Sequence, residues 1–99
     1  MAKVALWVML KAKAGKEAAV EAFLKQGAEM AQAEPKTVNW YGVKLGPGTY
    51  GVFDTFDDEA GREAHLSGEI AKALTANAEA LFENAKDLRI EKMEILGDK

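Results

Sequence analysis

His65 is the one histidine in this 99-residue chain, and its side chain is the best suited to proton transfer. An imidazole titrates near neutral pH, so a positioned histidine can act as a base or as a proton shuttle. Asp54 stands at the end of a predicted strand, just before the turn into the helix that carries His65. A hydrogen bond between the two would fix the ring tautomer and make the imidazole more basic. We therefore predict a catalytic pair; the alternative is that His65 only ties its helix to the sheet edge.

Other kinds of site are excluded by what the chain lacks. It has no cysteine, which excludes thiol catalysis and disulfides, and one histidine gives too few ligands for a typical zinc site. The Gly46-Pro47-Gly48 turn joins two predicted strands rather than opening a helix, so it is not a phosphate loop. No nucleotide or flavin fingerprint is present. We expect neither a metal nor a cofactor.

Composition places residues 1–99 in a single globular domain. Hydrophobic residues make up 48% of the chain, charged residues make up 29%, and the net charge is −3. A negative chain is a poor partner for nucleic-acid phosphates. The apolar run at residues 4–10 is far shorter than the roughly 20 residues of a membrane helix, and its alternation is that of a strand rather than a signal peptide. We expect a cytoplasmic protein that binds neither nucleic acid nor membranes.

The elements that must position His65 and Asp54 follow from the spacing of apolar residues. Strands are predicted at 4–13, 37–45, 49–55 and 88–96, and helices at 15–34 and from the Asp57-Asp58 corner onward. The second helix is predicted to break at Ser67-Gly68 and to continue from 69 to about 84. The order β-α-β-β-α-β is that of the ferredoxin-like α+β fold, a four-stranded antiparallel sheet with both helices on one face.

Three local features accompany this order. Ser67 is expected to cap the continuation of the second helix. Asn77 interrupts the apolar stripe of that continuation, either as a satisfied buried amide or as a group that faces a cavity. The apolar residues of the last strand change phase, and a β-bulge near Glu91 and Lys92 would return them to one face.

The second face of the predicted sheet is also apolar. It would carry large side chains from the set Trp7, Met9, Trp40 and Phe53. If exposed, these residues would form an unusually large apolar patch. A homodimer with its sheets face to face would cover the patch and enclose a cavity, so we expect self-association. The alternative is a monomer with an apolar sheet face.

Aromatic residues of the strands are candidates to line such a cavity, although many of them belong to the core in ordinary sheets. They are Trp7, Trp40, Tyr41, Tyr50 and Phe53.

The stretch VFDTFDDEAGREAHLSG, residues 52–68, resembles the signature of the antibiotic-biosynthesis-monooxygenase superfamily of small dimeric α/β-barrel proteins. That family typically shows a strand with Glu-x-Trp, an acidic corner, and a helix with a His before a small polar break. Here Asp54 stands at the Glu position, Phe56 at the Trp position and His65 at the His position. The stretch TVNWYGVKL, just after Pro35, is similar to the family's segment after its Pro-Gly turn, with Trp40 where a Tyr is common.

The resemblance implies a homodimeric α/β barrel and a cofactor-independent monooxygenase that oxidises a quinol or polycyclic phenol with O₂. In the implied mechanism His65, oriented by Asp54, takes the phenolic proton, and the anion reduces O₂ directly. The aromatic substrate would be bound by Asn39, Trp40, Tyr41, Trp7 and Tyr50. Haem is not expected, because the first-strand Asn of the haem-degrading members is absent from VALWVMLK.

Two other function classes share this architecture. RNA-recognition domains have the same element order, and residues 50–54 approach their strand-three motif. However, Val52 and Phe53 are in swapped positions and the leading basic residue is missing, so we do not expect RNA binding. A non-catalytic small-molecule binder or sensor on the same scaffold stays open, because a fold does not fix a function. Side chains of His65 and Asp54 that point away from the cavity would favour that alternative.

Overall fold

A computed structural model describes residues 2–99. The order of strands and helices predicted from the sequence is confirmed, with the second helix divided in two at Ser67-Gly68. The strands are β1 (Val4–Lys11), β2 (Thr37–Gly46), β3 (Thr49–Phe56) and β4 (Ile90–Glu94), and the helices are α1 (Glu17–Ala31), α2 (Glu59–Leu66) and α3 (Glu69–Leu81), followed by a 3-10 turn at Ala85–Asp87.

The strands form one antiparallel sheet in the order β2-β3-β1-β4, as the ferredoxin-like α+β fold requires. β3 is therefore a central strand, and it runs directly into the corner before α2. Asp54 lies opposite Leu6 of β1 and opposite Trp40 of β2. Because residues that are directly opposite point to the same face, these three side chains are neighbours on one face of the sheet.

The helices pack on that face, and the core lies between them and the sheet. Alternate residues of β1 and β3 are buried there, together with residues of the helices: Leu6, Val8, Leu10, Val20, Leu24, Tyr50, Val52, Phe56, Ala78 and Phe82. The opposite face carries Met9, Tyr41 and Val43, each at least 37% exposed. No helix within residues 2–99 is long and apolar enough to cross a membrane.

At the corner between β3 and α2, the N-terminus of α2 is capped by a side chain. The Asp58 carboxylate accepts a hydrogen bond of 2.8 Å from the Gly61 N–H, which makes Asp58 the N-cap of α2. The predicted cap at Ser67 is wrong. Gly68 occupies the N-cap of α3, while the Ser67 hydroxyl donates to the carbonyl of Glu63 at 3.0 Å. A serine at a helix end can bond back to its own preceding turn, and here that turn lies in α2.

The predicted β-bulge in the last strand is also wrong. β4 pairs with β1 in an uninterrupted register from Glu94 opposite Val4 to Ile90 opposite Val8. Ile90 therefore faces the helices, and Met93 lies on the opposite face. β4 is a short strand at the sheet edge, so its apolar side chains are only partly covered on either face and need no bulge.

Asn77 is exposed and is therefore not a buried amide, but it lines an open groove between α1 and α3. Its amide donates a 2.8 Å hydrogen bond to the carbonyl of Ala73, one turn earlier in α3.

Candidate active site

His65 lies between two carboxylates. Its Nε2 is 2.8 Å from Oδ2 of Asp54, and its Nδ1 is 2.8 Å from Oε1 of Glu34. The side chains of His65 and Asp54 are 7% and 3% exposed, whereas that of Glu34 is 21% exposed. The Asp54–His65 hydrogen bond expected from the sequence is present. The second carboxylate was not expected, and the three residues form a Glu34–His65–Asp54 triad.

Three different elements bring the triad together. Asp54 comes from the end of β3, on the face that the helices cover. His65 lies in the last turn of α2, where the helix dipole favours a positive charge, and its ring centroid is 5.3 Å from that of Phe56. Glu34 comes from the turn between α1 and β2, and Thr37 holds its Oε1 with a hydrogen bond of 2.8 Å.

The electrostatics of the triad favour an imidazolium at its centre. Burial opposes the charged form of His65, but the hydrogen bonds to Asp54 and then to Glu34 outweigh it, so the pKa of His65 is raised above its ordinary value. A protonated ring can donate from both nitrogens at once and satisfies both carboxylates. In that state neither ring nitrogen is free to accept a proton from a bound molecule.

An apolar cavity of about 50 Å³ lies against one side of the triad, between the sheet and α2 and α3. Its wall contains Asp54, His65 and Trp40 together with mainly aliphatic residues: Leu6, Trp7, Val8, Phe23, Val52, Leu66, Ile70, Ala71, Leu74 and Ile90. This volume holds a few water molecules or a diatomic gas.

Two polar atoms in the cavity wall residues are buried and have no hydrogen-bond partner within residues 2–99: Oδ1 of Asp54 and Nε1 of Trp40. One is an acceptor and the other a donor, and their residues are directly opposite each other on β3 and β2. Leaving buried polar atoms unpaired costs free energy, and such atoms in native proteins call for an explanation. A bound hydroxyl group could satisfy both, because it donates and accepts.

A groove of about 320 Å³ opens on the other side of His65. Glu34 and His65 belong to its wall, with Lys36, Gly68 and Glu69 among their neighbours. The imidazole therefore lies between an apolar cavity and a larger groove, with one carboxylate on each side. We call these the inner cavity and the outer groove.

The aromatic and amide residues that the sequence suggested for substrate binding do not all lie at the inner cavity. Trp40 belongs to the wall of the inner cavity. Trp7 borders the cavity as well, but its ring packs over Gly51 on the face of the sheet opposite the helices. Tyr50 is buried farther along β3, where its hydroxyl donates a 2.6 Å hydrogen bond to Glu21. That bond raises the pKa of Tyr50 to about 12.

Asn39 and Tyr41 lie on the opposite face of the sheet. The Asn39 amide oxygen accepts a 2.9 Å hydrogen bond from Thr55, and Tyr41 is 52% exposed. Neither residue reaches the inner cavity. Residues 2–99 contain no cluster of three or more His, Asp or Glu side chains that could hold a metal ion.

Sequence reasoning missed Glu34, which it treated only as the last residue of the first helix. A weak signal was available. Pro35 forces the chain to turn directly after Glu34, and Thr37 follows within hydrogen-bonding reach. Nothing in the sequence indicates that this turn packs against α2.

Among known proteins, this chain is similar to several solved structures. No protein-family model matches it, and no curated protein matches it. The crystal structure of NE2512, a protein of unknown function from Nitrosomonas europaea, is 52% identical, with a TM-score of 0.94 over 100% of this chain and 94% of that one.

More distant structures share the fold. One is described as "putative antibiotic biosynthesis monooxygenase" from Deinococcus radiodurans, at 21% identity and a TM-score of 0.77 over 97% of this chain and 94% of that one. Another with the same description, from Nitrosomonas europaea, has 11% identity and a TM-score of 0.82 over 95% and 90%. At these identities the similarity establishes the fold alone.

Proposed function

This chain belongs to the same protein family as NE2512 of Nitrosomonas europaea, and for it we propose a monooxygenase activity: oxidation of a quinol or polycyclic phenol by O₂ without a metal or organic cofactor. The fold, shared with structures described as antibiotic biosynthesis monooxygenases, is compatible with this activity. One observation carries the proposal. Oδ1 of Asp54 is buried and unpartnered, and Asp54 belongs to the wall of an apolar cavity, where a carboxylate is well placed to act as a base.

Asp54 is the proton acceptor in this proposal, and His65 supports it. Both nitrogens of His65 are engaged, so the free Oδ1 of Asp54 is the available basic atom. The phenolic hydroxyl donates to Oδ1 and accepts from the indole N–H of Trp40, which stabilises the oxyanion that forms. While the proton is being transferred, the imidazolium behind Asp54 adds a positive charge in a medium of low dielectric constant, where it acts strongly.

The oxidation balances with O₂ as the only oxidant. A ring carbon of the phenolate forms a C–O bond to O₂, and the resulting peroxide anion takes back the proton from Asp54. The O–O bond then breaks, and the hydroxide leaves as water with the proton of the same ring carbon. A phenol and O₂ thus give a quinone and one water.

The inner cavity must widen to admit such a substrate. Its volume of about 50 Å³ is well below the 300–1,000 Å³ typical of small-molecule pockets. Leu66, Ile70 and Leu74 close it on the helix side, so we propose that these side chains move away from the sheet when an aromatic ring binds.

We also propose that two copies pair through the uncovered sheet face. That face exposes Met9, Tyr41 and Val43, whereas the helices cover the other face. A second copy would bring an identical apolar surface to it, as in an isologous two-fold contact.

The test is oxygen consumption with a panel of quinols and anthrone-like phenols. Asp54→Asn should lower turnover by about 10²–10⁴-fold, the usual contribution of a general base. Asp58→Asn is the matched control, because it removes a nearby carboxylate while Asn also serves as an N-cap. Full activity of Asp54→Asn would exclude Asp54 as the base.

A wild-type protein that binds these phenols without consuming O₂ would instead support the alternative function, a non-catalytic binder or sensor.

A further inference from the structure

We propose that His65 and Glu34 form a proton path that connects Asp54 in the inner cavity with solvent in the outer groove. The proposal deepens the function above, since it states how the base exchanges its proton. Glu34 is in this view a positioning and proton-exchanging residue that does not touch the substrate.

The geometry supplies an unbroken hydrogen-bonded chain through the cavity wall. Two contacts of 2.8 Å join Asp54 to Nε2 and Glu34 to Nδ1 of one imidazole ring. Imidazole is the one side-chain type that can lose a proton from one side and carry another on the opposite side near neutral pH. His65 also belongs to the walls of both spaces, the inner cavity and the outer groove.

The two ends of the chain differ in their access to water. Asp54 is 3% exposed, and its free oxygen is buried at the apolar cavity. Glu34 is 21% exposed and lines the larger groove at the surface. A proton can therefore leave the triad through Glu34 far more easily than through Asp54.

The charged neighbours of the triad do not compete for this role. Lys36 and Glu69 are in the groove wall, and neither forms a hydrogen bond or ion pair with His65 in the described residues. Arg62, on the same helix as His65, points its guanidinium to Glu59 and to the carbonyl groups of Ala5 and Met93.

The proton balance explains what the path achieves. When Oδ1 of Asp54 gains a proton from a bound hydroxyl, the imidazolium can release its Nδ1 proton to Glu34, and Glu34 passes it to water. The triad begins with two negative charges and one positive charge, and it ends with the single negative charge of Glu34. The net charge of the triad is unchanged, so the one charge that the buried site gains is that of the oxyanion formed on the bound molecule.

Nuclear magnetic resonance can test the path in the free protein, because His65 is the sole histidine and its ring signals are unambiguous. In the wild-type protein, the Nδ1 proton should exchange with water at least about tenfold faster than the Nε2 proton, since only Nδ1 meets the groove. If the Nε2 proton exchanges as fast or faster, protons leave through the inner cavity and the proposal is overturned. This measurement needs no variant.

Glu34→Gln keeps the shape of the side chain but cannot take up a proton. We expect exchange of the Nδ1 proton to slow by about tenfold or more, and the pKa of His65 to fall, because the hydrogen bond to a charged Glu34 is lost. Glu69→Gln is the control, since it neutralises an exposed carboxylate of the same groove without touching His65, and it should change neither quantity.

Unchanged exchange in Glu34→Gln would show that Glu34 only anchors the ring. None of these measurements involves O₂ or a quinol. The path can therefore fail while the oxygenase activity stands, and the reverse also holds.

Discussion

The raised pKa of His65 makes a specific prediction about stability against pH. The ordinary pKa of the ring is 6.5, and in the folded protein the pKa lies above it. Between these two values the folded chain keeps a proton that the unfolded chain releases. The stabilisation is therefore complete below about pH 6.5 and is lost as the pH rises through the folded pKa of His65.

The magnitude of the slope follows from one proton. In that window the free energy of unfolding should fall with rising pH, with a ceiling of about 1.4 kcal/mol per pH unit that is approached only when the two pKa values are well separated. Two hydrogen bonds raise the pKa of His65, and the one to Asp54 has the larger effect. Asp54→Asn removes the negative charge from that partner, so the pKa of His65 should fall toward 6.5. The slope of this variant should be flatter, because folded and unfolded chains then hold nearly the same number of protons.

The assay is urea unfolding in half-unit steps from pH 6 to 8.5, at one protein concentration so that any self-association contributes equally. The α-amino group titrates in the same range, but it is common to both chains and cancels in the comparison. Wild-type stability that stays level or rises with pH would refute the reasoning. So would a profile of Asp54→Asn that runs parallel to the wild-type profile.

Two further predictions concern packing and assembly. A Cβ at Gly51 would clash with the Trp7 ring, so Gly51→Ala should lower the free energy of unfolding in urea by about 1–3 kcal/mol. Gly46→Ala, where a Cβ would meet nothing within 4 Å, should cost little. Equal effects of the two substitutions would contradict this packing. If two copies pair through the sheet face, sedimentation should show that the wild-type protein is a dimer and that Tyr41→Lys is a monomer. Thr75→Lys, on the exposed side of α3, is the control and should leave the dimer intact. A monomeric wild-type protein would refute the pairing.

Local features of the sequence were the ones that could be predicted. Alternation in the strands, Pro35 after the first helix and the Gly-Pro-Gly turn identify the elements, because each acts over a few residues. One error arose where a residue had two possible hydrogen-bond partners close by in the chain. Ser67 could cap the following helix or bond back to the preceding one, and only the packed corner selects the second.

The last strand shows a second limit of sequence reasoning. Its change of apolar phase suggested a bulge, on the assumption that all its apolar residues share one buried face. At the sheet edge that assumption fails, since both faces of β4 are half covered. Whether a strand is central or at an edge depends on the pairing of the whole sheet, and no local pattern encodes it.

The sequence by itself determined the fold and the meeting of Asp54 with His65. The two residues are joined by a short strand-to-helix corner with a capped start, so their contact follows from local geometry. The tertiary structure alone decided that Glu34, 31 residues before His65, completes the triad. That contact depends on how the turn after α1 packs against α2, which is set by the burial of both helices on one sheet face. The same packing decides which side of the imidazole faces an apolar cavity and which side faces water.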